Sequence, residues 1–258
     1  MNCFPADDET PIDMFWNHLK KSSSSVFLVE NANQFIHAQL LQYQLGNKKY
    51  QSGNIRIFNP AVLNALWHIA DSHSDELMSS GETLAEYSYG SCDCTCNIGD
   101  GVVEVNSIKF YEETKSDKDS EGLIKGGVLF NQIRQNKLPN LLLLDIIEYN
   151  ISIGVFFNGT MRDYRSIVNK STIPLRITDE IPVDLIQDSE IYLYIDDEKV
   201  DVDLRPHIDN IENEIVSLTV EVGADKSIWL SFGKDGNPIS LGQILSENQS
   251  SNSNRLRR

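Results

Sequence analysis

The spacing of apolar residues changes along this chain, from steps of three and four near the start to alternation nearer the end. Ile12, Phe15, Trp16 and Leu19 recur at helical spacing behind Pro11, which suits a first helical position, so a short helix is predicted over residues 11–21. Residues 22–25, all serine, read as a turn or flexible joint. Phe35, Ile36, Leu40, Leu41 and Leu45 predict a second helix, with Gly46 as the residue just past its end. A polar loop over 47–54 then leads to a strand at 55–58.

Asn59 followed by Pro60 is the clearest helix start, an N-cap before proline at the first helical position. Val62, Leu63, Leu66, Trp67, Ile69 and Ala70 form its apolar stripe, and the pattern extends through Leu77 and Met78 to Gly81. Past Gly90 the texture turns to strands at 102–105 and 108–111, a charged loop at 112–121, a helix within 128–138 stopped by Pro139, and a buried strand at 141–147. Two apolar-rich runs, 151–157 and 160–167, flank Asn158 and Gly159, a pair suited to the positive φ angles of a type I′ hairpin turn. A second hairpin is predicted from 190–195 and 200–204, and a third from 228–232 and 239–241 around Asp235 and Gly236. Residues 215–222 alternate as a further strand.

The pattern therefore predicts an α+β protein: a mainly helical N-terminal region over 1–90 and an antiparallel β-rich sandwich or barrel over 91–245. The Ser/Asn-rich residues 246–258, ending Arg255-Leu256-Arg257-Arg258, are expected to be a disordered tail. Abundant Ile (26) against scarce Ala (8) leans the same way, toward β structure. Trp16, Trp67 and Trp229 all lie on apolar stripes and are expected to anchor cores.

Charge adds the most distinctive property. Of a net −16, a local −13 falls within residues 178–225, where 15 Asp and Glu face only Lys199 and Arg205. Such a segment repels nucleic acid and anionic membrane and attracts basic proteins or cations. Neither a secretory signal nor an apolar run of membrane-spanning length is seen, so the expectation is a cytoplasmic protein without a membrane association.

Candidate chemistry is sparse. Cys92, Cys94 and Cys96 would face one side of a strand about 6.6 Å apart, within reach of zinc or another soft metal only after local bending, since zinc sites favour wider C-x₂₋₄-C pairs. His68 and His73 are the nearest histidines in sequence, at a spacing that does not share one helix face. Asp196, Asp197, Asp201 and Asp203 lack the glycine and spacing of a calcium loop. Asp184 with Asp197, Glu198 and Lys199 has the residue types of a metal-dependent nuclease site, as do Glu113 and Lys115, but the surrounding negative charge opposes a phosphate backbone. The run Lys125-Gly126-Gly127 reads as turn glycines, and no nucleophile-elbow, metalloprotease or P-loop spacing occurs.

What remains is a non-enzymatic interaction protein, of immunity or inhibitor type, that binds a basic protein. Asp196, Asp197, Glu198, Asp201 and Asp203 would steer the partner, and Tyr192 and Tyr194 would anchor it. The alternatives are a structural or assembly subunit of a larger particle and a metal-dependent enzyme.

Overall fold

The computed structural model describes residues 25–47, 55–114, 120–208, 215–233 and 236–255. The helix expected at 11–21, Trp16 and part of the turn before Gly236 lie outside the described residues.

A strand begins at Ser25, where a joint was expected: β1 (Ser25–Leu28) runs parallel to β2 (Ile55–Phe58), with helix α1 (Ala32–Asn47) between them. Parallel neighbours need a crossover, and α1 supplies it. Gly46 lies inside α1 rather than past its end. Helix α2 (Pro60–Ser72) starts as its sequence dictates, with the Asn59 side chain accepting from the Ala61 N–H at 2.9 Å. It does not continue to Gly81. His73 departs from helical geometry, and one further turn, α3 (Ser74–Leu77), follows it.

Strands β3 (Thr83–Tyr89), β4 (Cys92–Gly99) and β5 (Val102–Phe110) form an antiparallel meander, so strand structure starts before residue 90. Helix α4 (Ser120–Arg134) starts eight residues before the helical run expected at 128–138 and contains both glycines expected to form a turn. Those glycines have a packing reason. A Cβ on Gly126 would stand 1.9 Å from the Leu63 carbonyl oxygen, so only glycine lets α4 lie this close to α2.

The apolar run at 141–147 is two strands, not one. β6 (Leu142–Leu144) pairs in parallel with β5, whereas β7 (Ile146–Ile147) pairs with β10 (Ser171–Thr172) in another sheet. Asp145 marks the switch, and Leu142 is 49% exposed. Two cores meet here: Ile146 points into one and Ile147 into the other.

The hairpin of β8 (Ile151–Phe157) and β9 (Thr160–Val168) has positive φ at both Asn158 (50°) and Gly159 (76°), as a type I′ turn requires. β11 (Leu175–Pro182) leads through a short helix, α5 (Val183–Ile186), to the hairpin β12 (Glu190–Ile195) and β13 (Glu198–Asp203). β14 (Ile215–Val222), β15 (Ile228–Phe232) and β16 (Ile239–Ser240) follow. Two four-stranded antiparallel sheets result, in the orders β13-β12-β8-β9 and β11-β14-β15-β16. Ile191, Leu193 and Ile195 of one sheet and Leu218, Val220 and Val222 of the other are buried in a shared core. Phe35 of α1 joins it, as do Leu241 and Ile244 of the last helix.

That last helix, α6 (Leu241–Arg255), replaces the disordered tail expected from 246. Its first turn is anchored by Leu241 and Ile244, and Asn248 donates to the Asp201 carbonyl, so a polar sequence is held by its buried start. The fold is thus α+β, with helices early and a β-rich remainder. Among the described residues no helix is long and apolar enough to cross a membrane.

Candidate functional site

The hairpin β12–β13 carries most of the residues singled out from sequence. Alternation along β12 buries Ile191, Leu193 and Ile195 and turns Tyr192 and Tyr194 to the outer face. Tyr192 lies in register with Gly154, and Gly154 with Tyr164. The rings of Phe156 and Tyr192 meet at 5.6 Å and those of Tyr164 and Tyr194 at 5.4 Å, both edge to face. They fold over Gly154, where a Cβ would stand 2.8 Å from the Tyr194 ring. The result is an aromatic patch in which Phe156, Tyr192 and Tyr194 are half-buried and Tyr164 is exposed. Tyr192 donates its hydroxyl hydrogen to Glu190, and burial together with that carboxylate pushes the phenol up to about 12.

The acids divide into two groups. Asp196 and Asp203 are structural. Asp196 Oδ1 accepts from the Asn150 backbone N–H at 2.8 Å and from its side-chain amide at 3.1 Å, while the Asp196 N–H donates to the Asn150 carbonyl. Asp203 Oδ1 accepts from Ile191 N–H at 2.8 Å and Arg205 N–H at 3.0 Å, next to an irregularity in the β12–β13 pairing. Asp197, Glu198 and Asp201 are exposed on the same hairpin as Tyr192 and Tyr194. Lys199, on the same hairpin, lies 3.3 Å over the Tyr192 ring and 4.0 Å from Asp201. Asp203→Ala is expected to cost about 1–3 kcal/mol, because two backbone donors lose their acceptor. Asp197→Asn should stay within about 0.5 kcal/mol of wild type. Urea unfolding of the two variants checks this difference, and equal midpoints would show that Asp203 is no more structural than Asp197.

Acids of the wider segment also have neighbours of their own. Asp179 pairs with Arg165 at 3.7 Å, Glu221 lies in register with Arg176, and Asp225 Oδ1 accepts from Ser227. Asp184 lies on the short helix α5, whereas Asp197 and Glu198 lie where β12 turns into β13.

Cys92, Cys94 and Cys96 do share one face of β4, and that face is buried. The Cys94 and Cys96 sulfurs lie 3.5 Å apart, well inside the spacing of a regular strand, beside a register shift in the pairing with β5. Burial pushes the Cys92 thiol up; the hydrogen bond to Cys96, with burial, pushes Cys94 up. Raised thiols oppose the thiolate form that metals bind. Among the described residues no group of three or more His, Cys, Asp or Glu is placed to hold a metal ion. His68 and His73 instead flank the Tyr87 ring, at 6.1 and 6.3 Å.

Trp229 also departs from expectation. It is 40% exposed, with its indole N–H donating to Ser227 Oγ at 3.1 Å, and is not a core anchor. Trp67 is half-buried beneath Lys125, whose ammonium sits 4.5 Å over its ring.

The residues that sequence reasoning missed are internal. Lys226 Nζ lies 2.7 Å from Glu148 Oε2 and 3.1 Å from Asp145 Oδ2, with the Lys226 and Glu148 side chains 1% and 0% exposed. The turn between β14 and β15 carries the lysine inward. It is held by Gln39, which donates to the Lys226 carbonyl at 2.7 Å and accepts from Ile228 N–H at 3.0 Å, and by Arg56, which donates to the Ala224 carbonyl. Lys226 itself has φ of 62°. Burial by itself would lower its ammonium, but Asp145 and Glu148 outweigh that and hold it above the ordinary value. Burial raises Glu148 despite the lysine. The available signal was Asp145 and Glu148, two acids inside the otherwise apolar run 141–149. No protein-family model matches the chain, and no curated protein matches it.

Proposed function

We propose that this chain is a non-enzymatic interaction protein, of immunity or inhibitor type, that binds a basic protein through the outer face of the β12–β13 hairpin. The observation that supports it is an aromatic patch, Phe156, Tyr164, Tyr192 and Tyr194, on the outer face of a hairpin that also carries exposed Asp197, Glu198 and Asp201. Aromatics supply anchoring area, and exposed carboxylates steer a cationic partner. Asp196 and Asp203 hold the hairpin's shape instead of meeting the partner. The net charge of −16 disfavours nucleic acid as that partner. A cytoplasmic setting accompanies this reading, and the free, buried thiols of Cys92, Cys94 and Cys96 suit it.

The test uses a partner captured from the native host and measured by association kinetics. The triple variant D197N/E198Q/D201N is expected to slow association about tenfold or more at low salt, and wild-type association should fall as salt rises. Salt-insensitive association, unchanged in the triple variant, would sink the proposal. A second reading, an assembly subunit, is favoured by Ile124 and Val128, one turn apart on α4 and 67% and 55% exposed. A solution mass of many copies by light scattering would select it, and a monomer or dimer would select the binder.

A further inference from the structure

The binding surface makes no use of the three charged side chains buried at the junction of the two cores. Their arrangement has reactive geometry. The Lys226 amine is 3.1 Å from Asp145 Oδ2, an ion-pair contact that sets the nitrogen beside the carboxyl carbon it would attack. The other oxygen of that carboxyl, Oδ1, accepts from the Ile146 backbone N–H at 2.8 Å. Glu148 touches the same amine through Oε2 at 2.7 Å, and its Oε1 accepts no hydrogen bond among the described residues. The surroundings are dry, with Cys94 buried and the Phe58 ring 5.8 Å from the ammonium.

From this geometry we propose that Lys226 and Asp145 condense to an intramolecular isopeptide bond, with Glu148 as the group that moves the protons. The Lys226 ammonium gives one proton through Glu148 to Asp145 Oδ2, and the freed amine attacks Cγ of the now neutral carboxyl. Negative charge develops on Oδ1, which already faces the Ile146 N–H as an oxyanion donor. The intermediate collapses as the Cγ–Oδ2 bond breaks. Both protons lost from the ammonium reach Oδ2 through Glu148, so Oδ2 leaves as water. One C–N bond forms, one C–O bond breaks, nothing is oxidised or reduced, and no activating co-reactant is required.

Two effects drive a condensation that is unfavourable between free molecules in water. The fold holds amine and carboxyl in contact, which in well-oriented intramolecular reactions corresponds to an effective concentration of about 10⁵ M or more. The product also replaces a buried ammonium and a buried carboxylate with a neutral amide, relieving the desolvation of both. Asp145 is the acceptor rather than Glu148 because Asp145 Oδ1 faces the Ile146 N–H, whereas Glu148 Oε1 accepts no hydrogen bond among the described residues. The bond would join the β14–β15 turn to the switch between β6 and β7, at the seam where Ile146 and Ile147 enter separate cores.

Mass spectrometry of the purified full chain under denaturing conditions tests this directly. The expected result is a chain lighter than its sequence mass by one water, with the proteolytic peptides carrying residues 145 and 226 recovered as a single cross-linked species. Lys226→Arg, which keeps the charge but lacks the amine, and Glu148→Gln should both show the full sequence mass. A wild-type chain at full sequence mass overturns the proposal. So does a water loss that persists in Lys226→Arg, because the loss then arises elsewhere. Since the first readout uses the unmodified protein, a variant that fails to fold leaves the test intact.

Discussion

Replacing Lys226 with methionine is expected to lower stability by about 3–5 kcal/mol at pH 7, the largest effect of any single substitution considered. Methionine fills similar volume, so the loss comes from charge and not from a cavity. Glu148 and Asp145 remain in place, the first with no solvent exposure, and removing one partner of a buried ionic group strands the others. The loss and its pH dependence are relative to the wild-type chain in which Lys226 is still a charged ammonium, ion-paired and not condensed.

The pH dependence of that variant has a definite sign. Burial already holds Glu148 above the ordinary carboxylate value, and Lys226 is the main influence pulling it down. Without the lysine, Glu148 moves further up. A carboxyl whose folded value lies above its unfolded value takes up its proton in the folded state first, so it favours folding at low pH and loses that contribution as pH rises through the folded value. Lys226→Met should therefore regain ground on wild type as pH falls from 8 toward 5. Urea midpoints at those two pH values measure this. A deficit that does not change with pH would mean that Glu148 does not carry the stranded charge.

The second large effect is a contrast between two adjacent glycines in α4. Gly126→Ala places a methyl 1.9 Å from the Leu63 carbonyl oxygen and 2.7 Å from its carbon, atoms of the α2 backbone that cannot rotate away. The helices must separate, which costs about 1–3 kcal/mol, more than the gain of at most about 1 kcal/mol from replacing glycine in a helix. Gly127→Ala meets no atom within 4 Å, so it should stabilise by about 0.5–1 kcal/mol. Thermal unfolding should thus move in opposite directions for neighbouring, chemically identical changes. If both alanines raise the midpoint, α2 and α4 are not packed backbone to backbone.

These glycines show why part of the fold was not legible in advance. Taken alone, Lys125-Gly126-Gly127 signals a turn, because glycine is costly inside a helix; the reason to accept the cost lies on α2, about 60 residues earlier. The polar residues after 245 likewise look disordered by composition, yet Leu241 and Ile244 bury the start of α6 and Asn248 reaches the Asp201 carbonyl. Locally encoded features fared differently. Asn158 and Gly159 specify their turn through positive φ, and Asn59 with Pro60 caps α2 whatever α2 packs against. Within the candidate surface, alternation placed Tyr192 and Tyr194 outward. It could not reveal that Asp196 and Asp203 are bound to backbone donors from Asn150, Ile191 and Arg205.

By itself, then, the amino-acid order determined the class of the protein, its hairpins, the clearest helix start, the shared face of the three cysteines and the density of acid near residue 196. Each of these depends on backbone preference or periodicity over fewer than ten residues. Only the tertiary structure decided which acids are structural, that Trp229 is exposed, and that Lys226 meets Asp145 and Glu148 in the interior. Those outcomes depend on contacts between segments as far apart as 145 and 226. A lysine in a polar turn looks solvated until the fold shows the turn pressed between two cores.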